Sequence, residues 1–83
     1  MTTIKHYTAA WCGPCRALKP IMQEIASQNP SVNYQVVDVD SNLDEATAMG
    51  IPSIPVVIVM KNGVETNRFV GIQSKAVYEQ AIK

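Results

Sequence analysis

The sequence predicts an α/β fold, a central four-stranded mixed sheet flanked by helices in the order βαβαββα. Three observations carry this. In the first half of the chain, short runs rich in β-branched residues alternate with helical periodicity, the pattern of a βαβ unit. Val56-Val57-Ile58-Val59-Met60 is apolar at every position, as expected of a central strand covered on both faces. Asn62-Gly63 then separates that run from another strand-like run, a strong hairpin signal. A right-handed crossover followed by a helix and a hairpin gives one mixed sheet with the long helix packed against it.

Each element has its own warrant. Residues 2–8 carry β-branched and aromatic residues without a breaker, placing Ile4, His6 and Thr8 on one face and Lys5 and Tyr7 on the other. From Gly13 to Gln28, Ala17, Leu18, Ile21, Met22 and Ile25 recur at helical spacing. Pro14 suits the first turn of that helix, whereas Pro20 falls inside it and should remove one backbone bond. Residues 32–39 read as a parallel strand partly open on one face. Asp40 and Ser41 are expected to cap a short helix that runs to Met49 and stops at Gly50. Ile51-Pro52-Ser53-Ile54-Pro55 reads as a turn, because two prolines cannot both lie in a sheet interior. Val64 to Val70 is the antiparallel partner of the apolar run, and Glu65, Asn67 and Arg68 mark it as an edge. After Gly71, Ser74 can cap a last helix whose apolar stripe is Val77, Tyr78, Ala81 and Ile82.

The 83 residues, 47% hydrophobic and 17% charged, have the composition of one ordinary globular domain spanning 1–83. Seven basic and seven acidic side chains cancel, so overall charge favours neither nucleic acid nor an anionic membrane. No apolar run is long enough to span a bilayer, and Met1-Thr2-Thr3-Ile4-Lys5 lacks the apolar region of a secretory signal. A cytoplasmic monomer is the expectation.

The two cysteines stand in Trp11-Cys12-Gly13-Pro14-Cys15, where a strand hands over to a helix. In a chain without an export signal, that spacing points to redox or metal chemistry more than to a structural staple. Structural zinc takes about four ligands. Beyond the cysteines the chain offers one histidine, His6, and carboxylates, so no metal site is expected within one chain. Exchange chemistry needs a thiolate, which the unpaired N–H groups and partial positive charge of a helix N-terminus favour. Cys12 sits at that end and is the expected nucleophile; Cys15, one turn on and more shielded, would resolve the mixed disulfide. The Ile54-Pro55 bond, just before a buried strand, is a candidate cis peptide, and the local sequence leaves an ordinary trans turn open.

Taken together, these residues resemble the thioredoxin family over nearly the whole chain. Trp11-Cys12-Gly13-Pro14-Cys15 is similar to its active-site motif, Pro20 to the proline of its active-site helix, and Ile54-Pro55 to its cis-proline. Lys61-Asn62-Gly63 resembles its hairpin turn, and Val70-Gly71 the glycine that lines its substrate groove. The resemblance implies a minimal thioredoxin fold and a protein-disulfide reductase with Cys12 as nucleophile and Cys15 as resolving thiol. It implies a cis Pro55, and substrate binding around Trp11, Gly13, Pro14, Ile54, Pro55 and Gly71. No bound cofactor is implied. The Cys12–Cys15 disulfide would be reduced by an external donor, thioredoxin reductase or a similar flavin and NADPH enzyme, and the partners would be disulfide-containing proteins.

Three departures from the family pattern stand out. The chain begins at what resembles the family's second strand, so one sheet face should be less covered, and Lys5, Tyr7, Asn33 and Gln35 fit that. Val56 stands where a threonine commonly follows the cis-proline. His6 occupies the place of a buried aspartate that carries a proton for the resolving thiol, and Val36 that of its lysine partner. An imidazole titrates in a suitable range, so His6 is the candidate proton acceptor for Cys15. Two other functions compete. A glutaredoxin-type, glutathione-dependent reductant would usually show Thr-Val before the cis-proline and Gly-Gly further on, which this chain lacks. A redox-independent binding subunit of another protein would not need its thiols.

Overall fold

β1 (Thr2–Thr8) lies inside the sheet, pairing in parallel with β2 (Asn33–Asp38) and antiparallel with β3 (Val56–Lys61). β4 (Val64–Val70) pairs antiparallel with β3, so the strand order is β2-β1-β3-β4. These elements belong to a computed structural model that describes residues 1–83. Together with three helices they follow the βαβαββα order expected.

α1 (Gly13–Gln28) covers one face of the sheet. Leu18, Met22 and Ile25 are fully buried there against Ile4, Val57 and Tyr78. Pro20 sits inside the helix, on its exposed side, and has no N–H to offer the carbonyl of Arg16.

On the opposite face the thin cover expected is found at Asn33 and Gln35, which are exposed, and at half-buried Lys5, but not at Tyr7. Tyr7 is 0% exposed and packs with Val37, Val56 and Ile58, over which Met49, Ile51 and Ile54 close. Its hydroxyl donates to Glu45 Oε2 at 2.9 Å, and Lys5 Nζ lies 3.4 Å from the same oxygen. Burial first, then the Glu45 carboxylate, pushes the Tyr7 pKa up to about 12, so the hydroxyl keeps its proton and remains the donor. Through Glu45 this ties α2 (Leu43–Ala48) to the sheet.

α2 starts later than Asp40 and Ser41 suggested. Its N-cap is Asn42, whose side chain makes no cap bond and instead donates from Nδ2 to the Asp38 carbonyl. Asp38 Oδ1 accepts the Asp40 N–H at 2.9 Å, and the Ser41 N–H bonds the Asp38 carbonyl. The polar residues at 38–42 thus build a turn among themselves instead of starting a helix.

α3 (Lys75–Ala81) is anchored by Tyr78, which meets Phe69 edge to face at 5.3 Å and accepts the Gln73 N–H on its hydroxyl. Ser74 occupies the N-cap position without a side-chain bond. Val77, expected in the apolar stripe, is exposed: neighbours on a helix point about 100° apart, so seating Tyr78 turns Val77 outward.

The β3–β4 hairpin turns on Asn62 (φ 53°) and Gly63 (φ 82°), both left-handed as a two-residue type I′ turn requires. A Cβ at Gly63 would meet nothing within 4 Å. Gly63→Ala should therefore cost only the backbone penalty, about 1 kcal/mol, seen as a lower denaturant midpoint with an unchanged slope.

Candidate dithiol site

Cys12 is the N-cap of α1, in extended backbone (φ −88°, ψ 110°), and its Sγ accepts the Cys15 N–H at 3.2 Å. The sulfur therefore faces the unpaired amides that open the helix. Pro14 follows in the first turn, where no N–H is needed, and that turn holds no acidic side chain to oppose negative charge on Cys12. The two sulfurs are joined as a disulfide across a Cα–Cα distance of 5.3 Å. Cys12 is 5% exposed and Cys15 1%.

Neighbouring segments hold this turn in place. Arg16 donates from Nε and Nη2 to the Ala10 carbonyl, at 3.2 and 2.7 Å, and so braces the loop before the motif from inside the helix. The exposed Trp11 ring donates from Nε1 to Asp40 Oδ2 at 2.9 Å. Ile54 and Val39 pack against the small cluster of Ala9, Cys12 and Cys15. The Ile54-Pro55 bond is cis, and the Pro55 carbonyl accepts the Gly71 N–H at 2.8 Å. Trp11, Gly13, Pro14, Ile54, Pro55 and Gly71 were the residues expected to receive a substrate. The fold brings Ile54 against the cysteines and sets Gly71, at φ 85°, beside Pro55.

An apolar groove of about 480 Å³ runs from Trp11 and Ile54 to Val39, Leu43, Ala46 and Ile51. Pro55 and Gly71 lie outside its lining. Sequence reading missed Leu43, Ala46 and Thr47, although they recur at i, i+3 and i+4 and so share one side of α2.

His6 is 0% exposed on the face of β1 that packs on α1. Its Nδ1 shares a hydrogen bond with the Tyr34 hydroxyl at 3.2 Å, and its Nε2 has no partner. Burial, with Lys19 adding positive charge nearby, pushes its pKa down to about 4, so the ring is neutral at neutral pH. No group of three His, Cys, Asp or Glu side chains is placed to hold a metal ion. No helix is long and apolar enough to cross a membrane.

A vicinal pair of sulfurs seated over a helix N-terminus, able to exist as dithiol or disulfide, is the working part of a disulfide oxidoreductase. Comparison with known proteins narrows that class. The Thioredoxin family model matches residues 2–83. The chain belongs to the thioredoxin family and is a thioredoxin-type disulfide oxidoreductase.

Among curated proteins it is 39% identical over 69 residues to the thioredoxin of Chlamydia trachomatis, a match spanning 83% of this chain and 68% of that one. It is 39% identical over 72 residues to the thioredoxin of Mycoplasma genitalium, spanning 87% and 71%. A thioredoxin from Halobacterium salinarum superposes with a TM-score of 0.92 at 28% identity, covering 98% of this chain and 71% of the other. Thioredoxin NaTrxh from Nicotiana alata gives 0.91 at 30% identity, covering 98% and 70%.

Proposed function

We propose that the chain reduces protein disulfides, with Cys12 as nucleophile and Cys15 as resolving thiol. The observation that carries this is the seat of Cys12 Sγ on the amide end of α1, bonded to the Cys15 N–H. In the reduced protein, the Cys12 thiolate attacks one substrate sulfur, the substrate S–S bond breaks, and the departing sulfur takes a proton. Cys15 then attacks Cys12, forming the internal disulfide and releasing the second substrate thiol. Two electrons and two protons have passed to the substrate.

An extended substrate segment would lie beside Ile54, Pro55 and Gly71, over Gly13 and Pro14, with an apolar side chain in the groove between Trp11 and α2. Leu43→Glu should raise KM for a protein disulfide by about tenfold, the loss of one well-buried apolar contact, and leave the rate on a small disulfide unchanged.

His6 fits poorly as the acceptor of the Cys15 proton. A protonated imidazole there would be a fully buried cation with an unpartnered nitrogen, near the positive charge of Lys19. We assign it a buried, neutral role, so the His6→Gln variant should resolve a mixed disulfide at the wild-type rate near neutral pH.

The donor would be a flavin enzyme of the thioredoxin reductase type, drawing on NADPH. Insulin reduction followed with that enzyme, or with glutathione alone, tests the reading. Turnover with the flavin enzyme supports it, and turnover with glutathione only would favour a glutaredoxin-type reductant. Inactivity with both would refute reductase function and leave a redox-independent binding subunit.

A further inference from the structure

If Cys12 and Cys15 exchange disulfides as proposed, resolution of the mixed disulfide requires Cys15 to lose its proton. Cys15 is almost out of reach of solvent, yet a second depression opens onto it from the side of α1. This cleft of about 390 Å³ is lined by Thr8, Cys15, Arg16, Lys19, Val36 and Asp38. It lies between α1 and the β2 edge, where Val36 lines it and is 46% exposed. A cleft of that size with a hydroxyl, a carboxylate and an ammonium on its walls admits water.

Lys19 follows Cys15 by four residues, so the two side chains are neighbours on one face of the helix, and both line the cleft. Arg16 is engaged with the Ala10 carbonyl, whereas Lys19 has no ion-pair partner. Its charge is already felt in this region, since it helps keep buried His6 unprotonated. Asp38 faces the cleft from β2 with the opposite sign. Buried His6 and half-buried Tyr34, hydrogen-bonded to each other, lie close by, and loss of solvent favours the neutral form of both.

We propose that Lys19 is a positioning residue for the second half of the reaction: its ammonium, across the cleft, stabilises the Cys15 thiolate. The Cys15 thiol gives its proton to water in the cleft. The thiolate attacks Cys12 Sγ, the Cys12–Cys15 bond forms, and the bond from Cys12 to the substrate sulfur breaks. That sulfur leaves with the electron pair and takes up a proton. Asp38 acts against ionisation of Cys15.

Dithiobis(nitrobenzoate), mixed in equal amount with the reduced protein, separates the two steps, because attack by Cys12 and resolution by Cys15 each release one coloured thiolate. In Lys19→Met, the pH midpoint of the second release should rise by about half a unit, and below that midpoint the step should slow about threefold, as for one partly screened charge. Lys19→Arg should restore the wild-type profile, and Asp38→Asn should move the midpoint down. An unmoved midpoint in Lys19→Met, a failure of arginine to restore it, or an upward shift in Asp38→Asn would overturn the assignment. If wild-type protein gave no first release, the exchange reaction itself would be refuted, which is a separate result.

Discussion

Cys15→Ala protein, mixed with a disulfide-containing protein, should accumulate as a one-to-one covalent adduct through Cys12. With the resolving sulfur gone, the Cys12 thiolate still sits on the amide end of α1, so attack proceeds and release does not. Turnover in the insulin assay should fall to the uncatalysed background. A non-reducing gel would show the adduct, and a reductant would dissolve it. Cys12→Ser should be equally inactive and form none, because the remaining thiol is 1% exposed and lies behind the first. An adduct in Cys12→Ser and none in Cys15→Ala would reverse the two roles.

Acid should weaken this fold through His6. Its pKa is about 4 in the folded protein, against an ordinary value of 6.5. Below pH 6.5 the unfolded chain takes up a proton that the folded chain declines until about pH 4. The stability contributed by the neutral ring is therefore complete above 6.5 and is lost as pH falls towards 4. The loss is on the order of 3 kcal/mol, a large share of the stability of a small domain. Denaturant unfolding between those pH values should show the decline in wild type and a flatter profile in His6→Leu. Equal slopes in the two proteins would mean that His6 is not held neutral.

The parts of the molecule legible in the sequence are those governed by neighbours along the chain. Asn62-Gly63 could make a hairpin and little else, and the unbroken run from Val56 could only be an inner strand. The cysteines announced their place at a helix start because Pro14 and the periodicity after it left no other. Features that depend on contacts between distant segments were not legible. Asp40, read as a helix cap, is held by the Trp11 indole, which lies 29 residues earlier. Tyr7 looked exposed because Glu45, its partner, lies 38 residues away on a helix with no strong apolar signature. The cleft behind Cys15 is a gap between α1 and β2, and no local pattern encodes a gap.

α2 has six residues, buries none of them and begins without a side-chain cap. Its main polar tie to the sheet is the Glu45 carboxylate, held by Tyr7 and Lys5. Yet this helix supplies Leu43, Ala46 and Thr47 to the groove, while Val39 and Ile54 on the other side pack against the cysteine cluster. With so few buried contacts, α2 is the side of the groove expected to open first, so its backbone amides should exchange with solvent faster than those of α1, which seats the sulfurs.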